Sequence, residues 1–259
     1  CTCMLAVPRM VDKLLNFNGF TSQMTKSLQD VFVGGDALSP KTQIKFKEMM
    51  EKGNLQAKLY PGYGLTESSI CFLSKGDAPY GSIGKPLFSI EYMIVDENEK
   101  PVNQGEIGEL YIASDQAMVG YLNDAEATDM VLTEINGKQY VRTGDYFKED
   151  ENGFLFYEGR KKRLIKISGM NVFPTEIENT AKELSFVGEC AAIEYIKDNK
   201  NHTRLLVEGQ LTDEEKQKII VHIASKLSHW SIPHDVVCLD RFYRTKIGKI
   251  DIKRLQDEY

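Results

Sequence analysis

The sequence predicts an α/β segment, then an antiparallel and barrel-like β segment, then a small α+β module. Three textures carry that reading. Up to about residue 87, apolar runs ending in glycine alternate with a helical pattern. From Phe88, segments of alternating polarity are broken by Asn, Asp and Gly. After Gly159-Arg160, short strands and capped helices mix again.

In the first segment, "CTCMLAVP" (1–8) reads as a buried strand and "MVDKLLNF" (10–17) as a short helix. "LQDVFVGGD" (28–36) is a buried strand running into two glycines. "LSPKTQIKFKEMMEKG" (38–53) has Ser39 as N-cap, Pro40 at the first helical position and Gly53 as its stop. "LQAKLY" (55–60) is the next strand. Strand, helix, strand at this spacing is a parallel unit, whose ligands sit beyond the carboxyl ends of the strands. In the second segment, "SIEYMIVDENEKPV" (89–102), "GEIGELYIAS" (105–114) and "KQYVRTGDYFKEDENGFLFYEGR" (138–160) read as hairpins, with "DENG" (150–153) a turn. In the third, "RLIKISG", "ECAAIEYIKD" and "TRLLVEGQ" are strands and "PTEIENTAKEL" is a helix. Thr212 and Glu215 form a capping box for "DEEKQKIIVHIASKLS". The expected boundary falls near Arg160–Arg163, giving domains 1–160 (α/β to about 87, antiparallel from 88) and 161–259.

Bulk composition narrows the classes. The 259 residues are 42% hydrophobic and 27% charged, which is globular. Net charge is −6 and the longest basic run is "RKKR" (160–163), which disfavours nucleic acid as a partner. No apolar run reaches transmembrane length and no signal peptide is visible. The five cysteines are scattered, and Cys1 and Cys3 stand too close for a zinc-type pair. They read as reduced thiols of a cytoplasmic protein. The chain opens on Cys inside an apolar run, so a fragment is expected.

Five polar-glycine clusters remain: "VGGDAL" (33–38), "YGLTES" (63–68), "VRTGDYF" (141–147), "EGRKKRLIKISGMNVFPTEIE" (158–178) and "YRTKIGKIDIKRL" (243–255). Singly, each has a bland explanation: a Gly-Gly turn, a Thr-Gly-Asp turn closed by its own side chain, an edge strand, a solvated lysine. Their order does not. "YGLTE", "RTGD", the 159–178 stretch and "RTKIGKID" together resemble the motifs of the adenylate-forming superfamily of acyl-CoA synthetases, aryl-CoA ligases, carrier-protein ligases and luciferases, over nearly the whole chain.

The resemblance implies the C-terminal portion of an acyl-CoA-synthetase-like fold, ending in a mobile lid domain. It also implies roles. Tyr63 and Gly64, with Gly34, Gly35 and Asp36, would face the adenine of ATP or AMP. Thr66 would donate to the α-phosphate and Glu67 would hold Mg²⁺, a hard ion suited to carboxylate oxygen. Asp145 would accept from the ribose hydroxyls, and Arg160 would also face the nucleotide. Lys162 would be the hinge, Lys166 and Gly169 would serve thioester formation, and Lys249, preferred over Lys246 for its preceding glycine, would be the adenylation lysine. Arg163 departs from the two Asp residues that relatives often carry at this point. The family's Ser/Thr/Gly-rich phosphate loop is not in this stretch, so the 259 residues alone are expected to be inactive. The implied reaction joins a carboxylic acid to CoA at the expense of ATP. A free-standing carrier protein is the runner-up acceptor, because Asp251 fits a Gly-Lys-x-Asp pattern. A non-catalytic nucleotide-binding module and a luciferase-like oxygenase are the alternatives from other classes.

Overall fold

The computed structural model describes residues 1–18, 26–76, 78–246 and 248–259. The chain forms two compact units, Cys1–Tyr157 and Glu158–Tyr259.

The first unit is built on β1 (Cys3–Ala6), α1 (Pro8–Leu15), β2 (Asp30–Val33), α2 (Pro40–Lys52) and β3 (Lys58–Leu65). β1, β2 and β3 are parallel, with Ala6 beside Val33 and Val33 beside Pro61. Ser39 caps α2 by accepting from Thr42 N at 3.1 Å. The Thr42 hydroxyl donates to Asp12 at 2.6 Å, which ties α2 to α1. Gly53 ends the helix with φ −84°, and the left-handed turn falls one residue later at Asn54 (φ 51°). Val11, Val31, Val33, Phe46 and Met50 form the core between helices and strands. β1 departs from the buried strand expected of it. It is the terminal strand of the described sheet and pairs with β2, so its residues alternate between exposed and half-buried, with Leu5 77% exposed.

β3 is longer than its neighbours because it serves two ladders. Up to Pro61 it pairs parallel with β2; from Gly62 it pairs antiparallel with β4 (Ser69–Leu73). From there the sheet continues through β5 (Ser82–Pro86), β10 (Leu155–Arg160), β9 (Lys138–Glu149), β7 (Ile107–Ala113) and β6 (Glu91–Val95). β8 (Leu132–Ile135) pairs with β9, and the short helix α3 (Ala125–Val131) precedes it. Cys71, Phe72, Leu110, Ile112, Phe147 and Leu155 pack the antiparallel part. The "DENG" turn is present: Asp150 Oδ1 accepts from Asn152 N and Phe154 N at 2.9 and 2.8 Å.

The second unit contains the hairpin β11 (Ile165–Ile167)–β12 (Met170–Val172), helix α4 (Pro174–Lys182), the sheet β13 (Cys190–Lys197)–β14 (Lys200–Glu208)–β15 (Asp235–Leu239), and helices α5 (Asp213–Lys226) and α6 (Ile252–Glu258). "ECAAI" is continuously apolar after its first two residues because both sheet faces are covered. Ala192, Leu205, Val207 and Val236 meet Ile177, Ile219 and Ile223 on one face. Ala191, Ile193 and Leu206 meet Phe242 and Leu255 on the other. The capping box on α5 is complete: Thr212 Oγ1 accepts from Glu215 N at 3.3 Å and Glu215 Oε2 accepts from Thr212 N at 2.8 Å. Thr212→Ala removes the first of these bonds, so it is expected to cost about 1 kcal/mol, read as a lower urea midpoint with an unchanged slope.

Arg163, the departure noted in the sequence, has a structural place in this unit. Its guanidinium donates to Glu178 Oε1 at 2.6 Å and to Ala192 O at 3.3 Å. The same Oε1 accepts from Ala192 N at 2.8 Å. One buried carboxylate therefore joins the start of the unit, α4 and β13.

Candidate active site

In the first unit the site residues gather where β3 changes partners. Gly34 follows β2 and lies beside Gly62, a Cβ on Gly34 standing 3.5 Å from Gly62 O. Its N–H donates to Ala6 O at 3.1 Å. Gly35 and Asp36 are exposed at the same strand end, and Asp36 Oδ1 accepts from Ala37 N at 2.9 Å.

Tyr63 and Asp145, 82 residues apart, meet directly: the Tyr63 hydroxyl donates to Asp145 Oδ2 at 2.7 Å. The half-buried Tyr63 ring stands edge-on to Phe147 at 4.9 Å and 74°, which fixes its plane. Thr143-Gly144-Asp145 is a bulge within β9 and not the tight turn its composition allows. Glu109 pairs with Tyr146 and Tyr111 with Arg142, so these three residues stand opposite Leu110 alone. The excess is bolted down. Thr143 Oγ1 donates to Leu110 O at 2.7 Å and accepts from Asp145 N at 3.1 Å. Gly144 N donates to Glu109 Oε1 at 3.1 Å, and Glu109 is only 5% exposed. Asp145 itself is 2% exposed.

Thr66 and Glu67 form the turn from β3 into β4, with Thr66 exposed and Glu67 half-buried. Gly64 makes this turn possible through close approach. A Cβ there would lie 2.3 Å from Ser69 O and 2.7 Å from Ile70 Cα, both backbone atoms, so no side chain fits. Glu67 is held at two points: its carbonyl accepts from Met118 N at 2.8 Å, and its Oε1 accepts from the Tyr121 hydroxyl at 2.5 Å. That bond pushes the Tyr121 phenol up to about 12, burial adding to it. Sequence reasoning passed over Tyr121. Its signal was "GYLND" before a helical "AEATDMV", a capped helix start that would have fixed the tyrosine's place.

In the second unit, Arg160 is exposed at the end of β10 and Lys162 is exposed in a one-turn 3₁₀ segment, Lys161–Arg163. Lys166 lies on β11 and is exposed. The β11–β12 hairpin turns through Ser168 (φ 51°) and Gly169 (φ 82°). Nothing lies within 4 Å of a Cβ built on Gly169, so its backbone angle, not crowding, calls for glycine. Lys249 is exposed beside a turn in which Gly248 N donates to Thr245 O and Thr245 N donates to Lys249 O, both at 2.8 Å. Arg244 anchors that turn through Glu189 and Glu208 and donates to Gly248 O at 3.3 Å. Asp251 caps α6 by accepting from Arg254 N at 3.2 Å.

The family model for AMP-binding enzymes matches residues 1–122. A long-chain-fatty-acid–CoA ligase of Yersinia pestis is 32% identical over 99% of this chain and 45% of its own length. Its counterpart in Salmonella typhimurium is 34% identical over 77% of this chain and 36% of its own. Among solved structures, the anthranilate CoA ligase AuaEII in complex with anthranoyl-AMP is 26% identical with a TM-score of 0.82, covering 99% of this chain and 48% of that one. The ATP-bound RpMatB-BxBclM chimera B1, 22% identical with a TM-score of 0.89 over 100% of this chain and 51% of that one, matches in fold. The chain belongs to the adenylate-forming, AMP-binding enzyme family and aligns with the C-terminal part of those enzymes. It spans less than half the length of these two relatives.

Proposed function

We propose that the whole protein is an ATP-dependent acid–thiol ligase. It activates a carboxylic acid as its acyl adenylate and passes the acyl group to coenzyme A. The observation that carries this reading is the Tyr63–Asp145 bond, which joins two motifs of the family at the carboxyl end of the parallel strands, next to the Thr66–Glu67 turn. The ligases named above support it.

In the first half-reaction a carboxylate oxygen bonds to the α-phosphorus and the bond to pyrophosphate breaks. Charge gathers on the α-phosphate, so donors and cations aimed there lower the barrier. Thr66 has an exposed hydroxyl for that oxygen. Gly34, Gly35 and Asp36 border the adenine end, Tyr63 and Gly64 form its floor, and Asp145 takes the ribose. Arg160 and Lys249 supply positive charge from the second unit. In the second half-reaction the thiol sulfur bonds to the acyl carbon and AMP leaves. Lys166 and Gly169 serve that step, and Lys162 is the hinge between the two.

Glu67 fits magnesium by its donor chemistry. It is one hard carboxylate at a half-exposed turn, and among the described residues no group of three or more His, Cys, Asp or Glu gathers. Phosphates and waters would complete the ion's shell, a common arrangement for Mg²⁺. When bound, the ion offsets charge on the phosphates.

CoA is preferred over a carrier protein as acceptor. The carrier-protein reading leaned on Asp251, and that residue already has a local task as the α6 cap. An L-allo-isoleucine:holo-[CmaA peptidyl-carrier protein] ligase of Pseudomonas savastanoi is also a relative, at 28% identity. A cytoplasmic place goes with this reading: all five cysteines are free, and no described helix is long and apolar enough to cross a membrane.

The test is acid-dependent exchange of labelled pyrophosphate into ATP, run on the protein from its complete reading frame with short, long and aromatic acids. Exchange with one class, followed by CoA-dependent release of AMP, is expected. No exchange with any acid would leave a non-catalytic nucleotide-binding module.

A further inference from the structure

We propose that Tyr121 is a positioning residue for Glu67: its phenol fixes one carboxylate oxygen so that the other is presented to the metal ion of the bound nucleotide. The inference deepens the reading of Glu67 given above and rests on it.

The tether is built from the sequence outwards. "SDQAMVGYLNDAEAT" (114–128) leaves β7 and runs back past the β3–β4 turn. Its start is folded on itself, Gln116 N donating to Ser114 Oγ and Ala117 N to Ser114 O, both at 3.0 Å. Its end is locked to α3. Tyr121 N donates to Thr128 Oγ1 at 2.9 Å, Thr128 Oγ1 donates to Asp124 O at 2.8 Å, and Asp124 caps the helix through Ala127 N at 2.9 Å. Between these fixed points the loop grips one residue twice, by Met118 N on the Glu67 carbonyl and by the Tyr121 hydroxyl on Glu67 Oε1.

A surface phenol that merely found a carboxylate would not need that double hold. A single bond to the side chain would leave the Glu67 backbone free to shift with the turn. Main chain and carboxylate held together set both the origin and the direction of the ligand. A hydroxyl donating to an ionised oxygen is also of the stronger kind. The partner of a metal ligand typically carries a factor of about 10 to 100 in metal affinity.

The experiment measures Mn²⁺ binding by electron paramagnetic resonance, with a non-hydrolysable ATP analogue present, in wild type, Tyr121→Phe, Glu67→Gln and the double variant. Tyr121→Phe is expected to weaken Mn²⁺ binding about 10- to 100-fold. It should also raise the Mg²⁺ concentration for half-maximal exchange in step, while the rate at saturating Mg²⁺ largely returns. The double variant should bind no worse than Glu67→Gln alone. Tyr121→His, which returns an N–H donor, should recover part of the loss and provides a second variant if the phenylalanine form folds poorly. If Glu67→Gln weakens binding and Tyr121→Phe does not, the positioning role is wrong while the metal reading of Glu67 stands. A Tyr121→Phe protein with a lower melting temperature and wild-type Mn²⁺ affinity also overturns it, as packing alone. If Glu67→Gln binds Mn²⁺ as wild type does, the metal reading fails and takes this one with it.

Discussion

Replacing Lys249 with alanine is expected to lower acid-dependent pyrophosphate exchange by about 10²–10³-fold or more, the loss found when one donor to a developing oxyanion is removed. Thioester formation from acyl adenylate supplied ready-made should survive, because that step no longer involves attack of the carboxylate on the α-phosphorus. The protein should fold normally. Lys249 is exposed, and its turn is held by Arg244 through Glu189, Glu208 and Gly248 O. Lys246, exposed on the same turn, is the matched control, and Lys246→Ala should keep most of the exchange. Loss in Lys246→Ala with retention in Lys249→Ala would exchange the two assignments. Retention in both would remove the lysine turn from the chemistry altogether.

The second large effect is on stability. Glu178→Ala should destabilise the second unit by about 3–5 kcal/mol, the cost of breaking a buried pair from one side. Glu178 is 8% exposed, and its Oε1 serves both Arg163 and the Ala192 N–H. Truncation leaves a half-buried guanidinium without its counter-charge and a strand N–H without its acceptor. Glu178→Gln keeps an acceptor oxygen for Ala192 and loses only the charge, so its loss should be smaller. The protein reports this itself. Trp230 is its one tryptophan and packs against the core that holds Ile177, so its fluorescence in urea follows the second unit. A Glu178→Ala midpoint equal to wild type would show that the carboxylate is a bystander. At position 163 an aspartate would face Glu178 with like charge.

Much of the fold was legible because local rules decided it. Ser39-Pro40 opening α2, Thr212 with Glu215 opening α5, and Asp150 folding its turn are all short-range bonds between a side chain and nearby backbone. The alternation of strand and helix around "VFVGGD" likewise announced a parallel sheet. Other features depend on residues far apart in sequence. "CTCMLAVP" is apolar enough for a buried strand, yet composition cannot say that β1 is the last strand of the described sheet. Thr143-Gly144-Asp145 looks like a turn, and only β7 lying opposite makes it a bulge. The Tyr63–Asp145 bond needs β3 and β9 brought together across 82 residues. Arg163 was visible as an anomaly, but its explanation sat in Glu178 and Ala192. Tyr121 went unread because no polar-glycine cluster marked it; its bond to Glu67 spans 54 residues.

The bulge in β9 has a consequence for dynamics. Loop segments open easily, but this bulge is framed on both sides by paired strand, Arg142 against Tyr111 and Tyr146 against Glu109. Its amides are spoken for, Gly144 by a buried carboxylate and Asp145 by a threonine hydroxyl. Deuterium should therefore enter the Gly144 and Asp145 amides on the slow timescale of sheet opening, so this bulge behaves as stiff framework and not as a hinge.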